Sequence, residues 1–91
     1  MPYTVSRTKV KDYDKWKQSF FQEDGIALRK AHGFRSGRHY RNSSDPNEII
    51  TVIEWDDLEN ARRLRQSNEL QEMQKRGGVV EFVVYQEVEQ F

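Results

Sequence analysis

The run from Glu48 to Trp55 constrains this chain more than any other stretch, because it reads as a strand that is apolar on both sides. Successive strand residues point to opposite faces. Ile49, Thr51, Ile53 and Trp55 therefore share one side, and Ile50, Val52 and Glu54 the other. The last predicted strand, Val79 to Val88, repeats the pattern, with Phe82, Val84 and Val88 opposite Val83 and Tyr85. An antiparallel sheet with one face in water alternates more cleanly than this. A sheet built from these strands needs cover on both sides. A chain of 91 residues is expected to form one domain, residues 1–91, at ~100–200 residues per domain, so a second core is not available to supply that cover.

The remaining elements follow from spacing and punctuation. Tyr3 to Val10 predicts a strand with β-branched and aromatic residues between charges. Asp12 or Asp14 offers a helix N-cap. Beyond it, Trp16, Phe20, Ala27 and Ala31, with Tyr13 and Leu28, fall close to helical spacing. Gly25 interrupts that helix as a kink or a break, and Gly33 ends it. Phe34 to Arg41 predicts an arginine-rich strand, and Asn42 to Asn47 a turn. After Trp55, Asp56 or Asp57 caps a second helical region with Leu58, Ala61 and Leu64 on one face. Ser67 offers a second cap inside that region, Leu70 and Met73 continue the apolar face, and Gly77 and Gly78 stop it.

The order β-α-β-β-α-β predicts an α+β, ferredoxin-like arrangement: a four-stranded antiparallel sheet with the helices on one face. The simplest cover for the other face is a second copy of the same sheet, so a homodimer by sheet-to-sheet packing is expected.

Composition narrows the partners. Fifteen Lys+Arg balance fifteen Asp+Glu, which gives no basic excess for nucleic acid. No apolar run approaches the ~20 residues of a membrane span, and no secretory leader is read at Met1. Cysteine is absent, which removes disulfides, thiolate metal sites and a cysteine nucleophile. The expectation is a soluble, cytoplasmic protein without nucleic-acid or membrane partners. Only 35% of residues are hydrophobic while aromatics reach 12%, a balance that points to burial gained from a partner or a ligand. The two histidines, His32 and His39, do not match zinc-ligand spacing, so no metal site is expected. No phosphate-cradling glycine loop, nucleophile elbow or isolated carboxylate pair appears.

The candidate site residues are few. His39 lies in the arginine-rich strand, where it is placed to act as a general base or, equally, to sit on a sheet surface. Arg38 and Tyr40 share one side of that strand, and Arg35, His39 and Arg41 the other. Either set can meet an anionic or phenolate ligand, or pair across strands with Glu48, Glu54, Glu81, Glu87 or Glu89. Trp16, Phe20, Trp55 and Tyr85 can line a cavity for a flat aromatic ligand, or simply form core. Buried indole needs a partner for its N–H, which makes Trp55 a polar handle. His32, at a predicted helix end, is read as reaching free carbonyls.

Taken together, Asp45-Pro46-Asn47, the strand end Glu54-Trp55, Ala61-Arg62, Ser67-Asn68-Glu69-Leu70 and the Gly78-Val79 close resemble the dimeric α/β-barrel superfamily. The likeness runs from about Tyr3 to Val88, and the branch it is most similar to is that of small proteins grouped with antibiotic biosynthesis monooxygenases. The resemblance implies a barrel formed by two ferredoxin-like subunits, sheet against sheet. It also implies a cofactor-independent monooxygenase or cyclase acting on a small aromatic or quinol-type substrate. Trp55 matches the tryptophan that follows the third strand in many of these oxygenases. The helix histidine of the family is absent, since the matching stretch is Leu64-Arg65-Gln66-Ser67, and this argues against haem. Fold does not fix function. A non-catalytic dimeric binding or accessory protein using the same cavity stays open beside the oxygenase, with catalysis assigned to His39 and Trp55 in the first case and ligand contact to Trp16, Arg38, Tyr40 and Trp55 in both. An RNA-recognition domain shares the element order, but the third strand lacks the aromatic rings that stack bases.

Overall fold

The computed structural model describes residues 2–91. Its elements are β1 (Tyr3–Val10), α1 (Tyr13–Phe20), α2 (Glu23–Ala31), β2 (Phe34–Arg41), β3 (Glu48–Trp55), α3 (Leu58–Arg65), α4 (Asn68–Arg76) and β4 (Val79–Gln86). The strands form one antiparallel sheet in the order β2-β3-β1-β4, which is the ferredoxin-like topology. β1 and β3 are central, with Ser6 opposite Thr51 and Val5 opposite Val52.

Each helical region is a pair of short helices. Asp12 caps α1 by accepting from the Asp14 and Lys15 N–H groups, Asp57 caps α3 and Ser67 caps α4. The first region does not break at Gly25, as the spacing suggests, but at Phe21 and Gln22. Gly25 lies buried inside α2, where a Cβ would stand 3.0 Å from the Phe20 carbonyl oxygen. Its missing side chain lets α2 fold back against the end of α1. The freed Phe20 carbonyl is then satisfied by the Arg29 guanidinium, which donates at 2.8 Å. The break also changes which face points inward: Gly25, Leu28 and Arg29 turn toward the sheet, while Ala27 and Ala31 are exposed. Gly33, at φ 81°, ends α2 in the left-handed region, and the His32 ring reaches back to the Leu28 carbonyl at 2.9 Å.

Two hydrophobic clusters lie between helices and sheet. One gathers Val10, Trp16 and Ile49 with Tyr13, Phe20 and Val79. The other gathers Trp55, Ala61 and Leu64 with Leu28, Phe34, Ile53, Leu58 and Leu70. Arg76 fastens the helix layer, its guanidinium donating to Ser19 Oγ and to both carboxylate oxygens of Asp24. The last strand stops at Gln86 rather than Val88: its final pair with β1 is Gln86 opposite Thr4, and past it, among the described residues, only the Glu87 N–H still donates to the Tyr3 carbonyl, at 3.2 Å. Val88 is exposed.

Candidate ligand cavity

The sheet face under the helices carries Thr4, Ser6, Thr8 and Val10 from β1 and Ile49, Thr51, Ile53 and Trp55 from β3. Thr4, Thr8 and Thr51 are buried, so hydroxyls occupy positions where a packed core would place Val or Leu. Above them, between the two hydrophobic clusters, lies a cavity of about 100 Å³. Trp16, Phe20, Leu28, Leu70, Met73, Phe82 and Val84 wall it, and Trp55 lines it from the end of β3. Two arginines also line it, Arg29 from α2 and Arg65 from α3. Among the described residues on the lining, none is Asp, Glu or His.

The indole N–H of Trp55 has a buried partner, donating to Thr4 Oγ1 at 2.8 Å. With a lone pair of that oxygen engaged, the Thr4 O–H is the donor that the pair has left to offer. Trp55 thus orients Thr4 rather than presenting a free N–H.

His39 does not line the cavity. Its ring stands edge-on to Trp16, with centroids 5.3 Å apart, on the far side of that indole. The Tyr13 hydroxyl and His39 Nε2 are 3.0 Å apart, and the Arg41 guanidinium lies 4.5 Å above the Tyr13 ring. Burial among these rings, with the Lys17 charge nearby, pushes the His39 pKa below the usual value.

Arg38 and Tyr40 project from the opposite side of the sheet, where both are exposed. Tyr40 beside it raises the Arg38 guanidinium pKa. Two of the carboxylates that the sequence offered as partners for the β2 arginines, Glu48 and Glu81, pair instead with Arg7 in the middle of β1. The candidates thus fall into three places. Trp16 and Trp55 both line the cavity, His39 sits behind Trp16, and Arg38 and Tyr40 are separated from all three by the sheet.

The residues that sequence reasoning missed are the hydroxyls and Arg29. The hydroxyls had a visible signal, since Thr4, Ser6 and Thr8 alternate with Tyr3, Val5 and Arg7 and so share one face. Arg29 had none, because its inward direction follows from the helix break.

A family model described as antibiotic biosynthesis monooxygenase matches residues 6–76. Among solved structures, the chain is similar to a protein from Bordetella bronchiseptica provisionally named an antibiotic biosynthesis monooxygenase: TM-score 0.77 at 18% identity, over 99% of this chain and 97% of that one. It is similar to SnoaB, a cofactor-independent oxygenase from Streptomyces nogalater, with TM-score 0.73 at 15% identity over 99% and 94% of the two chains. A further antibiotic biosynthesis monooxygenase matches with TM-score 0.73 at 12% identity over 99% of both chains. At these identities the structures speak for the fold. No curated protein matches the chain.

Proposed function

The chain belongs to the antibiotic biosynthesis monooxygenase family, and from that premise we propose that it is a cofactor-independent monooxygenase or cyclase for a small aromatic or quinol-type substrate, working as a homodimer. The observation that carries this reading is the cavity, an apolar chamber with hydroxyls on its floor and two indoles in its wall. An electron-rich phenolate can itself reduce dioxygen. The protein's part is then to hold the ring in a dry, fixed position and to stabilise the charge on its oxygen. Thr51, Thr8 and the Trp55-oriented Thr4 are hydroxyl donors available for that oxygen. His39 acts on the site only through Trp16, as a positioning residue.

The outer face of the sheet supports the dimer. Tyr3 and Val5 of β1, Ile50 and Val52 of β3 and Val83 and Tyr85 of β4 put apolar groups around the ion-paired Arg7 on this face, with Val5 37% and Tyr85 58% exposed in the single chain. A second copy of this face is its natural cover.

The test is oxygen uptake with a one-ring hydroquinone and with a larger anthrone. Uptake above the spontaneous rate, lowered roughly tenfold in Thr51→Val, is the expected result. Binding without consumption of either compound or of oxygen overturns the enzyme. One observation favours that second reading, a non-catalytic binding protein: the lining has no carboxylate or imidazole to take a proton from the substrate.

A further inference from the structure

Arg29 is a half-buried cation with no carboxylate partner among the described residues. Its guanidinium lies 3.9 Å over the Phe20 ring and gives one N–H to the Phe20 carbonyl. A guanidinium has five N–H donors in a fixed fork, so most of its capacity is unspent. Burial depresses its pKa, which means the charge is already partly stripped of water. Arg65 adds a second cation to the same lining. In a chain whose charges balance overall, the cavity is lined by cations and by no described anion. The lining also offers no base, so a ligand that needs a negative oxygen there has to bring it. At about 100 Å³ the cavity is smaller than one of ~150 Å³ that is known to accept benzene, so one ring is the most it takes as it stands.

We propose that the cavity takes a single-ring aromatic ligand that arrives as an anion, a carboxylate or an acidic phenol, with its charged oxygen held by Arg29. The inference rests on the cavity being the ligand site, which the oxygenase and the binding protein have in common, and it names the ligand class for both. The ring packs between Trp16 and Trp55, the only two tryptophans of the chain, so their fluorescence reports occupancy.

The experiment is a fluorescence titration with three probes: benzoate, 4-nitrophenolate and benzyl alcohol, the last with a similar ring and no charge. The intact protein is expected to bind both anions at least about tenfold more tightly than the alcohol, the scale of one charge-assisted hydrogen bond. Tighter benzoate than nitrophenolate assigns the carboxylate source, and the reverse assigns the phenol. Arg29→Gln is expected to lose that preference, and Arg29→Lys to keep part of it. The comparison of probes on the unaltered protein stands even if Arg29→Gln does not fold. Equal affinity for the three probes, no binding of any, or an anion preference that survives in a folded Arg29→Gln protein overturns the proposal. Because binding is read without turnover, anion binding with no oxygen uptake sinks the oxygenase and leaves this inference standing. Oxygen uptake with a neutral substrate and no anion preference does the opposite.

Discussion

Both faces of the sheet mix polar and apolar residues, and each carries a set that an isolated chain would place on the other. The face under the helices is hidden from water yet carries Thr4, Ser6, Thr8 and Thr51, while the open face carries Val5, Ile50, Val52 and Val83. Residues 51 and 52 are neighbours in β3, and the polar one is the more buried. Burying hydroxyls and exposing aliphatic groups both cost free energy in an isolated chain. Both cease to be costs if the first face lines a ligand cavity and the second is covered by another subunit. The lesson is that burial in one chain and burial in the working protein are different quantities.

The largest effect is expected from Trp16→Ala, which removes the wall shared by the cavity and the His39 cluster. It should cost about 3–5 kcal/mol in urea unfolding, as large aromatic truncations do. A cost under ~1 kcal/mol would mean that the indole is not a structural wall. On the open face, Val52→Asp should leave the circular dichroism of the fold intact and convert the dimer to a monomer in native mass spectrometry. A monomeric parent protein, or a variant that stays dimeric, breaks the covered-face half of the comparison.

Its neighbour gives the complementary test. Thr51→Val keeps the shape and deletes the hydroxyl, so stability should stay within about 1 kcal/mol. Ligand affinity or turnover should fall roughly tenfold, about one hydrogen bond's worth. Clear destabilisation with ligand binding unaltered would make the hydroxyl structural.

The smallest effect is a pH dependence. His39 has a depressed pKa when folded, so the unfolded chain binds its proton more readily. The stability it contributes is fully present above the unfolded value, about pH 6.5, and is lost as pH falls through the folded pKa. Melting temperature should therefore drop on acidification through that window, less so in His39→Gln. An identical acid slope in the two proteins would remove His39 as the cause.

Much of this was legible beforehand. β1, β2 and β3 run over the residues their composition predicts, and the caps at Asp12, Asp57 and Ser67 are where side-chain acceptors precede an apolar pattern. The position of the first helix break was not legible. Glycine is the local signal for a break, but Gly25 serves close packing and the chain turns at Phe21 and Gln22. The candidate site was legible only in part: Trp16 and Trp55 line the cavity, while His39, Arg38 and Tyr40 lie outside it.

By itself the sequence determined what depends on near neighbours: strand periodicity, helix caps, the order of elements and the two-sided apolar character of β3. The tertiary structure decided what depends on register and on the phase between elements. It set Ser6 against Thr51 across β1 and β3, drew the Trp55 N–H onto Thr4, 51 residues away, and turned Arg29 inward through a break eight residues upstream of it. Local patterns fix which face a side chain takes within its own element. Only the packing of one element on another fixes which faces meet, and the cavity is made where they do.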